Sequence, residues 1–271
     1  MNNYIQISFK NIPAGLKDIL IAQLADAGYN GFEETESDLD AFIAEENYNE
    51  SELENLTAVY KLDFIKTKIE SGNWNKVWES NFHPVVVDNF VAVRADFHEP
   101  IKDVQYEIII TPKMSFGTGH HATTYMMMRQ MREIDFKNKS VFDFGTGTGI
   151  LAILAHKSGA ASVTAIDNDE WSIKNAEENF QKNNCDTIVL KQRDAVLTDQ
   201  TFDIILANIT KNIILENFSV LSQQLNKNAT LLLSGLLEDD EEDIITESRK
   251  YSLFPGTRLK EGNWLCLRFL R

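Results

Sequence analysis

The feature that most constrains this chain is an apolar run that breaks into three regularly spaced glycines and then resumes with helical spacing. Residues 140–144 predict a strand, Gly145, Gly147 and Gly149 predict a tight turn, and the segment from Ile150 onward predicts a helix. Glycine has no Cβ, so such a turn lets backbone N–H groups and a helix N-terminus approach a ligand closely. The Gly-x-Gly-x-Gly spacing differs from the Gly-x-Gly-x-x-Gly that seats a pyrophosphate, and it therefore favours a nucleoside cofactor without phosphates.

The chain downstream of the turn alternates strands with helices, which predicts a parallel, doubly wound sheet. Strands are expected at residues 141–144, 162–166, 187–190, 202–206 and 229–233, and helices at 150–157, 170–181 and 213–225. After an acidic helix around 238–248, residues 251–257 and 263–269 predict a hairpin with one strand antiparallel to its neighbours. A seven-stranded α/β sheet that ends in such a hairpin resembles the class I methyltransferase fold.

The first 66 residues predict a separate, smaller α+β unit. Its pattern is strand 4–9, helix 13–27, strands 31–35 and 39–44, helix 51–59 and strand 60–64. Asn49 or Ser51 is the expected cap of the second helix. This βαββαβ order matches the ferredoxin-like motif. Residues 67–82, with Trp74 and Trp78 one helical turn apart, predict a linker helix, and a β-rich segment at 83–112 is expected to lead into the larger domain.

The formal net charge of −15 is concentrated near the start of the chain. Residues 1–70 hold 14 Asp and Glu against five Lys, a balance of −9. Such a surface repels the nucleic acid backbone and attracts basic protein, although a simply solvated acidic face is an equal alternative. No secretory leader or membrane-spanning run is recognisable, so a cytoplasmic protein without membrane contact is expected.

Metal binding and disulfides are disfavoured by the residues that would supply them. Cys185 and Cys266 are the only cysteines, and their spacing predicts two buried or idle thiols. The adjacent His120 and His121 lack a third ligand in register, so loop residues ahead of a helix explain them better than a metal site does. The methionines of that helix are predicted to fill the core: Met126, Met127, Met128 and Met131.

Three polar side chains stand where strands of a doubly wound sheet end, which is the edge that binds ligands. Asp167 ends the second strand, 20 residues after Gly147, where a carboxylate accepts from ribose hydroxyls; a helix cap is the alternative. Asp194 follows the third strand and either accepts from an adenine amino group or caps a loop. Asn208 ends the fourth strand, where its carboxamide can accept from an incoming amine or contact the cofactor; a turn-forming Asn is the alternative.

Four stretches taken together resemble the PrmA family, which methylates the eleventh protein of the large ribosomal subunit. They are Asn-Phe-His-Pro at 81–84, Phe-Gly-Thr-Gly-His-His-Ala-Thr-Thr at 116–124, the turn and its flanks at 143–153, and Ala-Asn-Ile at 207–209. The resemblance implies a class I enzyme that uses S-adenosylmethionine. It also implies an N-terminal recognition domain at 1–66, a helical linker at 67–82 and a catalytic domain at 83–271 that binds the cofactor.

The same resemblance implies roles for individual residues. The residues expected to bind S-adenosylmethionine are Thr124, Gly145, Gly147, Asp167 and Asn208. Asn208 is also expected to orient the substrate amine, and the loop at 116–121 to cover the cofactor. The implied substrates are the α-amine and lysine ε-amines of a basic large-subunit ribosomal protein, with no direct binding of nucleic acid.

Other classes of function share part of this pattern. A class I methyltransferase that acts on another protein, RNA or a small molecule would keep the glycines and Asp167, but RNA predicts a basic face and a small molecule a closed apolar pocket. A nucleoside-binding module without catalysis would need nothing at Asn208. A dehydrogenase that uses NAD is disfavoured by the position of the third glycine.

Overall fold

The structure, a computed structural model, describes residues 4–13, 16–29, 31–34, 37–69, 82–112, 119–193 and 200–271. The chain divides into two units, Met1–His83 and Pro84–Arg271. Most of the predicted linker helix, including Trp74 and Trp78, lies outside the described residues, as do Asp194 and the first part of the loop at 116–121. None of the helices in the described ranges is both long enough and apolar enough to cross a lipid bilayer.

The first unit is a four-stranded antiparallel sheet with two helices, in the predicted ferredoxin-like order. Its elements are β1 (Tyr4–Phe9), α1 (Lys17–Asp26), β2 (Gly31–Glu34), β3 (Leu39–Ala44), a 3-10 turn (Glu45–Asn47), α2 (Glu50–Tyr60) and β4 (Phe64–Ile69). The order across the sheet is β2-β3-β1-β4. Ile5, Ile7 and Phe9 are buried because alternate residues of β1 face the helices. Asn49 caps α2, as predicted, by accepting from the backbone N–H of Glu52.

The predicted strand at 60–64 is wrong, because the last strand of this unit is β4. Helix α2 continues to its end at residue 60, and Lys61 then terminates it in the left-handed conformation with φ of 54°. Strand β4 lies at the edge of the sheet and carries exposed lysines, Lys66 and Lys68, on the face that β1 buries. Edge strands carry such charges commonly, and the charges hide the alternation on which the prediction depends.

The second unit is built on the predicted doubly wound sheet. Its strands are β8 (Ser140–Phe144), β9 (Ser162–Asp167), β10 (Val189–Gln192), β11 (Phe202–Asn208), β12 (Leu225–Leu237), β13 (Phe254–Glu261) and β14 (Trp264–Leu270). Its helices are α3 (Ala122–Met131), α4 (Ile150–Lys157), α5 (Glu170–Lys182), α6 (Lys211–Gln223) and α7 (Glu241–Lys250), with a 3-10 turn at Glu238–Asp240. The strand order is β10-β9-β8-β11-β12-β14-β13.

Strand directions in this sheet confirm the predicted hairpin. Strands β8 to β12 are parallel, whereas β14 runs antiparallel to both β12 and β13. Helix α4 begins and ends at the predicted residues. The four methionines of α3 are buried, as expected for core-filling side chains. Cys185 and Cys266 are buried free thiols, and burial raises the pKa of both.

Strand β12 differs most from its prediction, since it spans 13 residues rather than 229–233. The polar residues before 229, such as Asn226 and Asn228, predict a loop. However, Leu225 pairs with Phe202 of β11, and the pairing resumes with Thr230 and Ile204 after a shift in register, within which Asn228 takes a left-handed φ of 63°. The polar residues therefore lie in an irregularity between two paired parts of β12, and the pairing on either side extends the strand beyond its predicted start.

A three-stranded sheet precedes the doubly wound sheet along the chain of this unit. Its strands are β5 (Val85–Val87), β6 (Val91–Ala95) and β7 (Tyr106–Ile110). Strands β5 and β6 form an antiparallel hairpin within the predicted β-rich segment, and β7 lies parallel to β6. The connection from β6 to β7 folds around Arg94. Its guanidinium pairs with Glu107 through two contacts of 2.8 and 3.1 Å and donates to the carbonyl of His98, while Glu107 also accepts from the N–H of Ile101.

A Glu107→Gln substitution should lower the free energy of unfolding by about 2 kcal/mol, because the buried Arg94 would lose its carboxylate partner. The hydrogen bond from Arg94 lowers the pKa of Glu107 below its usual value by more than burial raises it, and the N–H of Ile101 lowers it further. The stability that this carboxylate contributes is therefore complete above about pH 4.5 and is lost as pH falls through the lowered pKa. Urea unfolding across this pH range measures both effects.

The matched control is Glu170→Gln, which removes an exposed ion pair with Lys174. It should change the free energy of unfolding by less than about 0.5 kcal/mol. Equal losses in the two variants would show that the pair in the β6–β7 connection carries no special stability.

Candidate functional site

The three glycines of the turn between β8 and α4 all have positive φ, at +74° for Gly145, +55° for Gly147 and +80° for Gly149. A Cβ at Gly145 would lie 2.4 Å from Cγ2 of Ile209, and a Cβ at Gly149 would lie 2.4 Å from Cε1 of Phe180. Neither distance is compatible with a side chain. The turn therefore presses its backbone against β11 and α5, and only glycine permits that approach.

A Gly149→Ala substitution should lower the free energy of unfolding by about 2–4 kcal/mol, since it adds left-handed strain and overpacks the contact with Phe180. Gly262→Ala is the matched control. Gly262 also has a positive φ, of +57°, but a Cβ there meets nothing within 4 Å, so only the backbone strain of about 1 kcal/mol is expected. Urea unfolding of both variants tests this, and equal losses would contradict the close packing of the turn.

Asp167, at the end of β9, holds the glycine turn in place. Its Oδ2 accepts from the backbone N–H of Gly147 at 2.8 Å, and its Oδ1 accepts from the N–H of Asp169 at 3.0 Å. The cap of α5 is Asp169, which accepts from the N–H and hydroxyl of Ser172. The alternative interpretation of Asp167 as the helix cap is therefore wrong, and its carboxylate lies beside the turn.

A second carboxyl, Asp143, is buried beneath the turn with 1% of its surface exposed. Thr146 donates to its Oδ2 at 2.6 Å. Burial raises the pKa of Asp143 to about 7, the bond from Thr146 and the N–H of Ala152 oppose that rise, and the charge of Asp167 adds to it. Because the unfolded carboxyl ionises near pH 4, this group makes the fold less stable as pH rises from about 4 towards 7.

Thr124 on α3 and Asn208 at the end of β11 are brought together across 84 residues of sequence. Asn208 donates through Nδ2 to the hydroxyl of Thr124 at 3.1 Å, and Thr124 is fully buried. The Oδ1 of Asn208 is shielded from solvent and has no hydrogen-bond partner among the residues that the structure describes. A fixed amide with an unused acceptor is thus present in the wall of the site, and a ligand donor is the group that would satisfy it.

All five residues expected to bind a cofactor line one cavity of about 580 Å³. They are Thr124, Gly145, Gly147, Asp167 and Asn208. Apolar side chains from β8 and α4 form another part of the wall, namely Phe144, Ile150 and Leu151. The five residues therefore lie together, whereas several other residues of the cavity wall come from segments to which the sequence analysis assigned no role.

Trp264 lines the same cavity and was missed. It packs edge-to-face on His121, with ring centroids 4.7 Å apart at 70°, and His121 in turn caps α3 through Thr123. The pairing of β12 with β14 places Trp264 opposite Leu237, at the end of the sheet that carries the site. No local motif marks this tryptophan, because only the long-range pairing of β14 brings it there.

Gly235 on β12 is a second missed position in the cavity wall. Its φ is +80°, and a Cβ there would lie 2.3 Å from the carbonyl oxygen of Ile209. The register between β12 and β14 shifts at this residue, which marks a bulge. The bulge lets β12 approach the residue after Asn208, and an isolated glycine inside a strand pattern was the available signal.

Helix α6 presents one face to the cavity through Ile213, Glu216 and Asn217, which have the i, i+3, i+4 spacing of a single helix face. Glu216 is exposed, so a carboxylate lies at the open side of the cavity. Arg193 and Asp167 are the other charged side chains among the lining residues. Within the described ranges no group of three or more His, Cys, Asp or Glu could hold a metal ion.

The arrangement fits a nucleoside cofactor. The glycine turn admits a ligand next to its backbone, a carboxylate stands beside it for hydroxyl donors, and apolar side chains can pack on a base. Asn208 lines the same cavity, and its shielded Oδ1 has no hydrogen-bond partner among the described residues, so a donor from a bound ligand would satisfy it.

Comparison with known proteins gives a consistent result. The family model described as "Ribosomal protein L11 methyltransferase (PrmA)" matches residues 19–271. A ribosomal protein L11 methyltransferase of Porphyromonas gingivalis is 40% identical over 261 residues, covering 93% of this chain and 90% of its own. One from Bacteroides thetaiotaomicron is 34% identical, covering 98% and 99% of the two chains.

Solved structures agree on the fold. The crystal structure of a ribosomal protein L11 methylase from Lactobacillus delbrueckii subsp. bulgaricus superposes with a TM-score of 0.65 at 31% identity, covering 69% of this chain and 98% of its own. A methyltransferase from Pyrococcus furiosus gives a TM-score of 0.52 at 18% identity, covering 60% and 88%, and shares the fold. The predicted class I sheet is thereby confirmed.

Proposed function

Because the chain belongs to the ribosomal protein L11 methyltransferase family, we propose that it transfers methyl groups from S-adenosylmethionine to amino groups of a large-subunit ribosomal protein. One observation carries the proposal. The glycine turn with Asp167 and the Asn208–Thr124 pair line a single cavity, and the carboxamide still has an unused acceptor there. A donor site and an amine site are thus combined in one place.

The donor side is assigned to the turn and to Asp167. Gly145 and Gly147 would let the cofactor approach the backbone, and Asp167 would accept from its ribose hydroxyls while keeping its bond to Gly147. Thr124 would line the cavity next to Asn208 and fix the amide plane of that residue by accepting its hydrogen bond. S-adenosylmethionine supplies an activated methyl on a sulfonium.

The amine side is assigned to Asn208, which would accept from the incoming N–H through Oδ1 and so orient the nitrogen lone pair. Holding the two reactants in line supplies much of the rate, about 7–11 kcal/mol for well-oriented groups. A lysine has a pKa of about 10.4 in water, and desolvation in the cavity favours the neutral form that reacts, with release of the proton to water. Glu216 would attract the protonated amine to the open side of the cavity.

Recognition of the protein substrate is assigned to the first unit. The acidic balance of residues 1–70 fits a basic ribosomal protein and opposes direct binding of nucleic acid. Such a substrate would be met in the cytoplasm, where ribosomal proteins are made, and this is the location that we propose for the enzyme. The α-amine and lysine ε-amines are the chemical groups that the resemblance to the family implies.

The test is to incubate the protein with methyl-labelled S-adenosylmethionine and total ribosomal proteins, and to identify the labelled chain by mass spectrometry. Label on amines of one large-subunit protein is expected. Label on RNA or on small molecules would support the other classes of methyltransferase instead. Binding of the donor with no transfer to any of these would indicate a binding module and overturn the proposal.

A further inference from the structure

Helix α5 and its C-terminal cap, Asn183, carry three asparagines at i, i+4 and i+8 that are almost fully buried. Asn175, Asn179 and Asn183 expose 1%, 0% and 6% of their surface. Asparagine is a poor helix former, and a buried carboxamide is costly unless each of its polar atoms finds a partner. Three such residues on one helix face therefore indicate a specific set of partners.

The partners include the backbone along the free edge of β7. Asn183 accepts from the N–H of Ile109 at 3.0 Å and donates to its carbonyl at 2.6 Å. Asn179 accepts from the N–H of Thr111 at 2.8 Å, and Asn175 donates to the carbonyl of Thr111 at 3.1 Å. Four residues of helix rise about 6.0 Å and two residues of strand about 6.6 Å, so the amides match the strand repeat. The asparagine side chains thus make the hydrogen bonds that a neighbouring strand would make to the backbone of β7.

Asn179 has an additional partner that Asn183 lacks. Its Nδ2 donates to the carbonyl of Thr148 at 2.8 Å, and Thr148 is the fully buried residue between the second and third glycines of the turn. One carboxamide thus joins the glycine turn to Thr111. By contrast, the other bond from Nδ2 of Asn183 stays within α5, to the carbonyl of Asn179.

We propose that Asn179 is a positioning residue for the methyl donor, which sets the shape of the glycine turn without contacting the donor itself. The Thr148 carbonyl lies between two glycines of positive φ and accepts from the Asn179 side chain, and the same side chain accepts from the N–H of Thr111. The inference rests on the proposed function only for the identity of the donor.

The first test compares Asn179→Leu with Asn183→Leu, using binding of S-adenosylhomocysteine measured by calorimetry and thermal unfolding of the full chain. Asn179→Leu removes bonds to the backbone of Thr111 and Thr148, and Asn183→Leu removes two bonds to Ile109 and one to Asn179, so a fall in Tm is expected in both variants. Affinity should weaken at least tenfold in Asn179→Leu and change less than twofold in Asn183→Leu. Equal changes in affinity would overturn the proposal. Failure of the unsubstituted protein to bind this ligand would instead count against the proposed function.

A second pair of variants keeps the test decisive if the leucine variants do not fold. Asn179→Asp retains the acceptor for Thr111 but places an oxygen opposite the Thr148 carbonyl, and protonation of that oxygen restores the donor. Its affinity for S-adenosylhomocysteine should therefore recover as pH falls from about 8.5 to about 6, because burial raises the pKa of a carboxyl. Asn183→Asp should show no such recovery. The same pH trend in both variants, or no trend in Asn179→Asp, would overturn the role.

Discussion

Removal of residues 1–83 should abolish methylation of the ribosomal protein, with a loss of at least 100-fold in kcat/KM, while affinity for S-adenosylmethionine changes less than twofold. The residues proposed to bind the cofactor all lie in the second unit, whereas the acidic balance that would hold a basic protein lies in the first. The cut belongs before Pro84, because a cut at residue 66 would divide the strand Phe64–Ile69. Labelled methyl transfer and calorimetry measure the two quantities.

A short lysine-containing peptide is the control substrate for this truncation. The peptide does not need docking on the first unit, so the full chain and the truncated chain should methylate it at similar rates. Activity of the full chain on the intact protein should also fall as ionic strength rises, since exposed charges are screened over about 8–10 Å at physiological salt. Efficient modification of the intact protein by the truncated chain would refute the docking role.

Asn208→Ala should lower kcat about 100-fold, because small losses of orientation between reacting groups have effects of that size. The fold should persist, since the change leaves only the Thr124 hydroxyl without its partner, a cost of about 1 kcal/mol. Initial rates of methyl transfer and thermal unfolding, measured on the same preparation, separate the two effects.

Asn217→Ala is the matched control for this substitution. Asn217 also lines the cavity, but its Nδ2 donates to the carbonyl of Ile213 within helix α6. Near-native turnover is expected there. If both alanine variants kept full activity, Asn208 would not orient the amine; if both lost it equally, the loss would be a general effect on the cavity.

Local sequence patterns were sufficient to place the glycine turn and Asp167 at the same end of the sheet. Strand, glycine turn and helix are contiguous in the sequence, so the conformation of residues 140–157 follows from their local sequence pattern. The carboxylate of Asp167 lies at the end of the next strand. The end of β11 at Asn208 follows from the same alternation. Each of these residues lies at the carboxyl end of one strand. Such ends can be located from the sequence because strands and helices alternate regularly in doubly wound sheets.

The residues that escaped prediction depend on contacts between distant segments. Trp264 reaches the cavity only because β14 pairs with β12, and Gly235 matters only because Ile209 packs against it. The asparagines of α5 were visible as a repeat, but their meaning lies in the unpaired edge of β7. Asparagines within a helix break the local propensity rule, and residues that break such a rule are candidates for a specific structural or functional role.

The strand order has a consequence for how this protein is made. Ribosomes deliver β13 before β14, yet in the sheet β14 lies between β12 and β13. A nascent chain that has emerged as far as β13 therefore has no strand to which β13 can pair, and its cavity lacks the wall that Trp264 supplies. Because β14 supplies Trp264, the cavity is complete only after the last strand of the sheet has been made. A product of translation that ended at β13 would thus contain the glycine turn in a cavity that lacks Trp264.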